Sequence, residues 1–106
     1  MTGFVVIVDF KLEPGSQAAF RALVDANAAA SVELERGCRR FDVLEVQGEA
    51  DRVLLYEIYD DEAAFDEHCR SAHFKEFDRS SAGLVAGKNV LRCDLVLEPQ
   101  TKGIVK

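Results

Sequence analysis

Phe4-Val5-Val6-Ile7-Val8-Asp9-Phe10-Lys11-Leu12-Glu13-Pro14-Gly15-Ser16 carries the change of period that decides the fold. Its first part is rich in β-branched and aromatic residues, and Phe4, Val6, Val8, Phe10 and Leu12 share one parity. That alternation predicts a buried strand, which Pro14-Gly15 stops. Ser16 can then cap a long helix running to about Arg36, with Gly37 as its stop. At about 100° per residue, Leu23, Val24 and Leu34 fall on the face of Phe20, while Arg21, Asp25, Glu33 and Arg36 fall opposite. Asn27 and Ser31 sit one turn apart in the middle of the apolar face.

Further along, Arg39–Val46 and Arg52–Tyr59 read as two strands of a hairpin around Gln47-Gly48-Glu49-Ala50-Asp51. Asp60-Asp61-Glu62 is an acidic helix start, and Ser71 can cap a second helical piece carrying His73, Phe74 and Phe77. Asn89–Glu98 reads as the last strand, with Leu91, Cys93, Leu95 and Leu97 alternating. The order βαββαβ, with short right-handed connections, predicts an α+β fold. It is a ferredoxin-like sandwich over residues 1–98, followed by a tail at 99–106 that can contact a partner subunit. On the second parity lie Val5, Ile7, Val53, Leu55 and Tyr59, joined by Asp9, Lys11, Glu57, Arg92 and Asp94. A sheet apolar on both faces needs a second cover, so a homodimer through stacked sheets is expected.

With 106 residues, the chain is the size of one domain. Its 13 basic against 19 acidic residues give a net charge of −6, which argues against nucleic acid and anionic membrane surfaces as partners. No apolar run is long enough to span a bilayer, and Met1-Thr2-Gly3-Phe4 lacks the basic start of a signal peptide. A cytoplasmic protein with Cys38, Cys69 and Cys93 reduced is therefore expected. No metal is expected, because neither HxxxH nor HExxH occurs around His68 and His73. Gly83-Leu84-Val85-Ala86-Gly87-Lys88 only mimics a phosphate loop, being one residue short between its glycines.

What remains is a set of polar groups in apolar settings. Asn27 and Ser31 must be hydrogen-bonded or face a cavity; a serine bonded to the carbonyl four residues back is the plain alternative. His68 and His73 are the only groups whose ordinary pKa lies near 6.5. Glu57 interrupts the run Val53-Leu54-Leu55-Tyr56-Glu57-Ile58-Tyr59, so it is either an ion-pair partner of Arg40 or Arg92 or a pocket acid. Asp42 carries the same ambiguity, and Tyr59 is either packing or pocket.

Asn27, Ser31, Glu35-Arg36-Gly37-Cys38, Arg40-Phe41-Asp42-Val43-Leu44, Leu55-Tyr56-Glu57, Tyr59-x-Asp61-Glu62-Ala63-x-Phe65, His68 and Ser71-Ala72-His73-Phe74 form an ordered series. In that series the chain resembles the antibiotic biosynthesis monooxygenase domain, from Val5 to Leu97. The resemblance implies a dimeric α/β barrel with a pocket between sheet and helices, and oxidation of phenols or quinols without flavin, metal or haem. The absence of tryptophan, and the lack of an asparagine in the first strand, set the chain apart from the haem-degrading branch. Ala28 stands where the autoinducer-isomerising branch has histidine, although His68, His73 and Asp42 match that branch.

The expected function is accordingly a cofactor-independent monooxygenase of a small quinol or phenol. His73 or His68 would be its base, Asn27 and Ser31 its orienting donors, and Glu57 the group behind the histidine. Asp42 and Tyr59 would complete the substrate contacts. An isomerase of a small oxygenated metabolite, using the same histidines with Asp42, and a non-catalytic ligand-binding dimer are the alternatives.

Overall fold

A computed structural model describes residues 2–99. The elements are β1 (Gly3–Leu12), α1 (Gln17–Leu34), β2 (Cys38–Glu45), β3 (Arg52–Tyr59), α2 (Glu62–Arg70), α3 (Ala72–Ser81) and β4 (Val85–Leu95), with a 3-10 turn at Ala82–Leu84 before β4. The strands form one antiparallel sheet in the order β2-β3-β1-β4. This is the expected α+β ferredoxin-like fold, with the helices on one face. Among the described residues no helix is long and apolar enough to cross a membrane. The proposed partner-contacting tail at 99–106 lies outside the described residues, apart from Pro99.

β1 behaves as its alternation predicts: Phe4, Val6, Val8, Phe10 and Leu12 are all buried in the core beneath the helices. Phe10, Phe20 and Phe77 pack as an aromatic cluster joining β1, α1 and α3, Phe77 edge-on to the other two, with centroids 4.9 to 6.2 Å apart.

Register corrects the reading of β3. Phe4 pairs with Tyr59, Val6 with Glu57, Val8 with Leu55 and Phe10 with Val53. Directly paired residues share a face, so Val53, Leu55, Glu57 and Tyr59 lie beneath the helices, not on the open side. Arg92 and Asp94, paired with Val6 and Phe4, join them. The run Val53–Tyr59 is apolar on both parities, which left its orientation undetermined until it was paired. Ile7, Leu44, Leu54, Tyr56, Ile58, Leu91 and Leu95 make up the apolar part of the open face instead, together with Val5. The apolar second face is therefore real, with different members; Leu91 is 51% exposed.

Element ends differ in smaller ways. α1 stops at Leu34, and Glu35 already has extended backbone. Ser16 occupies the N-cap position but its side chain makes no capping bond. β4 begins at Val85, because Lys11 pairs with Gly87 and carries the ladder back past Asn89. Gly37 does not end the helix through a left-handed conformation. It serves close packing: a Cβ there would lie 2.6 Å from Cβ of Ala64 on α2. Gly37→Ala should accordingly lower stability by about 1–3 kcal/mol through overpacking, read from urea unfolding, whereas Gly83→Ala, with open space around it, should leave the midpoint nearly unchanged.

Candidate functional site

Ser71 is the local cause of the site. It ends α2 and starts α3: its side chain accepts from the Phe74 N–H (3.2 Å) and donates to the His68 carbonyl (2.7 Å). In one continuous helix, residues five apart would diverge by about 140°. The break at Ser71 lets His68, in the last turn of α2, and His73, in the first turn of α3, converge on Glu35. Glu35 reaches them because α1 has just ended.

The Glu35 carboxylate oxygen Oε2 lies 2.8 Å from His68 Nδ1 and 2.5 Å from His73 Nε2. An ionised carboxylate only accepts, so both ring nitrogens donate. Ser31 Oγ donates to the Asn27 carbonyl (2.7 Å) and lies 3.4 Å from the same His68 Nδ1 as a second, longer acceptor. The tautomer of His68 is thereby fixed with hydrogen on Nδ1, leaving Nε2 as its basic nitrogen. Burial lowers the pKa of His68, with the Glu35 hydrogen bond and charge working the other way. The ring sits among Phe41, Tyr59, Phe65 and Phe74, stacked on Phe65 at 6.0 Å and 22°.

His68 lines a cavity of about 300 Å³ between sheet and helices. Phe10, Phe41, Phe65, Phe74 and Phe77 give it an aromatic wall, and Asn27, Glu57 and His68 are its buried polar groups. Asn27 is 3% exposed, and its Oδ1 has no hydrogen-bond partner among the described residues. Lys88 and Arg92 of β4 stand where the helices leave the sheet uncovered, with Val90 between them 41% exposed. A wider depression of about 690 Å³ at another place on the sheet is lined by Asp9, Glu49 and Arg52, which already pair with one another.

Glu57 is a pocket acid. It makes neither of the expected ion pairs; the Tyr59 hydroxyl donates to its Oε1 at 2.7 Å. Burial pushes its pKa up to about 7, although the Tyr59 hydrogen bond and the Lys88 charge work against that rise. Tyr59, fully buried, is pushed up as well, by burial first and then by Glu57.

The structure thus brings together Asn27, Ser31, Glu57, Tyr59, His68 and His73, but in altered roles. Only Asn27, Glu57 and His68 line the cavity. Ser31 and Tyr59 sit behind them, and His73 meets Glu35 rather than the cavity. Two expectations are corrected. Asp42 pairs with Tyr56 on the open face and binds Arg40 at 2.7 Å, so it cannot reach the histidines. The carboxylate behind the histidine is Glu35, not Glu57. A signal for Glu35 exists in the sequence: at 100° per residue it falls about 60° from Phe20, an acid on the apolar side of the helix. Glu35, His68 and His73 each offer one ligand atom within 4.8 Å of the others, a donor set open to a divalent cation only where the histidines give up the hydrogens they share with Glu35. Cys38, Cys69 and Cys93 are free thiols, and burial pushes Cys38 up to about 12.

Residues 3–80 match the family model described as antibiotic biosynthesis monooxygenase. The chain belongs to that family. The matched span holds α1, Glu35 and both histidines and stops before β4. Among relatives of the family, a Mycobacterium tuberculosis protein with the printed name "Putative monooxygenase Rv0793" is 35% identical over 72 residues, covering 68% of this chain and 69% of the relative. Its solved structure superposes with a TM-score of 0.77 at 28% identity, covering 94% of this chain and 99% of that one. The structure of PA3566 from Pseudomonas aeruginosa gives 0.83 at 23% identity over 92% and 97% of the two chains, a likeness of fold.

The raised pKa of Glu57 makes a stability prediction. The folded state holds a proton that the unfolded chain releases near pH 4.5, so stability falls as pH rises from there through about 7. Glu57→Gln keeps an acceptor for Tyr59 and removes that loss. It should stabilise the protein at pH 8 by about 3 kcal/mol, with the advantage shrinking toward pH 4.5, as followed by thermal melts across that range.

Proposed function

We propose that this chain is a cofactor-independent monooxygenase of a small phenol or quinol. The observation that carries the reading is the buried His68 ring, held by Glu35 with its basic Nε2 free, at the wall of an aromatic cavity. Membership of the family and the monooxygenase name of the mycobacterial relative support it. Such a cavity strengthens the electrostatics of a proton transfer and keeps water away from an electron-rich anion.

His68 Nε2 takes the phenolic proton, and the imidazolium so formed is stabilised by Glu35 through Nδ1–H. His73, 17% exposed at its side chain, connects the same carboxylate to solvent and offers the proton a way out. The phenolate supplies all the electrons. For a quinol, O2 delivers one oxygen atom to a ring carbon and the other leaves as water, the substrate losing four electrons as O2 gains four. The product is a hydroxyquinone. Asn27 orients the substrate, while Ser31 and Glu35 orient the base. The isomerase alternative loses its acid when Asp42 is placed on the open face.

The partner we propose for the open face is a second copy, bringing Ile7, Leu54, Tyr56 and Leu91 against their counterparts. Light scattering at micromolar concentration should give a dimer, and Ile7→Glu should shift it to monomer. A stable wild-type monomer would overturn the stacked-sheet assembly.

Oxygen uptake tests the activity. Metal-stripped protein given naphthoquinols or polycyclic phenols should consume O2 above autoxidation and do nothing to the substrate under nitrogen. His68→Ala should lose about 100-fold or more, and Glu35→Gln and His73→Ala should lose less. Uptake unchanged in His68→Ala would remove the base; conversion persisting under nitrogen would turn the reading to an isomerase.

A further inference from the structure

The cavity is chemically polarised from end to end. Its inner part offers acceptors: the unpartnered Asn27 Oδ1 and the free His68 Nε2, on side chains 3% and 2% exposed. A buried acceptor without a donor is unfavourable, so Asn27 Oδ1 calls for an O–H group on whatever fills the space, and the unbonded His68 Nε2 offers that group a second acceptor. Its outer part offers cations. Lys88 Nζ stands 5.6 Å above the Phe10 ring, and the Arg92 guanidinium stands 5.2 Å above the Phe65 ring. Both cations belong to an edge strand whose helix-facing side is uncovered, in a protein with a net charge of −6.

Strand register supplies a ruler. Phe41, Glu57, Val6 and Arg92 form one row across the sheet, each paired with the next. At strand spacings of about 4.8 Å, Glu57 and Arg92 stand some two spacings apart with Val6 as the floor between them. The acidic groups around this path are Glu57, whose pKa burial raises, Glu62, which pairs with Arg92 at 3.0 Å, and the exposed Asp94, two residues from Arg92 on the same face of β4.

We propose that the cavity takes an elongated hydroxylated aromatic carboxylate, its hydroxyl at Asn27 and His68 and its carboxylate at Lys88 and Arg92. This names the substrate class of the same site and rests on the monooxygenase reading only for the fate of the hydroxyl. An aromatic body of one or two rings suits a space at the small end of ligand pockets. The two cations would also draw such an anion past the acidic surface toward the opening.

Binding measured by calorimetry under nitrogen separates this proposal from the chemistry. The probes are 6-hydroxy-2-naphthoate, 2-naphthol and 2-naphthoate, and the proteins are wild type, Lys88→Met/Arg92→Met and Asn27→Ala, each checked for folding by circular dichroism. The hydroxy acid should bind at least tenfold more tightly than either single-function probe. The double methionine variant should lose tenfold or more for the hydroxy acid and little for 2-naphthol. Asn27→Ala should remove the advantage of the hydroxy acid over 2-naphthoate. Equal binding of the hydroxy acid and 2-naphthol, a preference that survives the double variant, or no binding of any probe would overturn the proposal. Tight, cation-dependent binding without oxygen uptake in air would leave it standing and count against the monooxygenase reading.

Discussion

A single carboxylate oxygen, Oε2 of Glu35, accepts from His68 and from His73 and so ties the end of α1 to both helices of the second crossover. The geometry of the site depends on that arrangement. It needs α1 to end at Leu34 and α2 to break at Ser71, and it converts two histidines of ordinary chemistry into unequal ones. His68 becomes a buried ring with one defined basic nitrogen, and His73 stays nearer solvent. The aromatic shell around His68 holds the ring in place and, by excluding water, lowers its pKa against the pull of Glu35. The same exclusion makes the Glu35 bond stronger than it would be at a surface.

The sheet divides its labour between faces. Beneath the helices, the row through Val6 and the row through Val8 form the floor of the cavity, and Glu57 rises from that floor with only the Tyr59 hydroxyl as its donor. Burial raises the pKa of that acid to about 7, against one hydrogen bond and one distant cation. The other face is a mixture of exposed and half-buried apolar residues bordered by ion pairs such as Arg52 with Asp9 and Arg40 with Asp42. Exposed pairs of that kind contribute little to stability; at the border of an apolar patch they can set the register of a partner.

β4 is the least covered of the strands and contributes cations where the rest of the cavity is aromatic and neutral or acidic. Because the helices leave it bare on their own side, Lys88 and Arg92 remain in reach of solvent while their stems rest against Phe10 and Phe65. The opening of the cavity and its positive edge therefore have one origin: a sheet one strand wider than the helices above it.

The sequence by itself determined the element order, the buried face of β1, the Ser71 break and the presence of polar groups on apolar surfaces, because each is a matter of local period and capping. It also required partners or a cavity for Asn27 and Ser31 on the apolar face of α1, and it left Glu57 open between ion-pair partner and pocket acid. Only the tertiary structure decided which face of β3 lies inward, since Val53–Tyr59 is apolar on both parities and pairing with β1 alone selects Leu55 and Glu57 over Leu54 and Tyr56. Only the tertiary structure replaced Glu57 with Glu35 as the group behind His68 and sent Asp42 to the far side of the sheet. Those are distances between residues more than thirty positions apart or faces set by strand pairing, and neither follows from a local pattern.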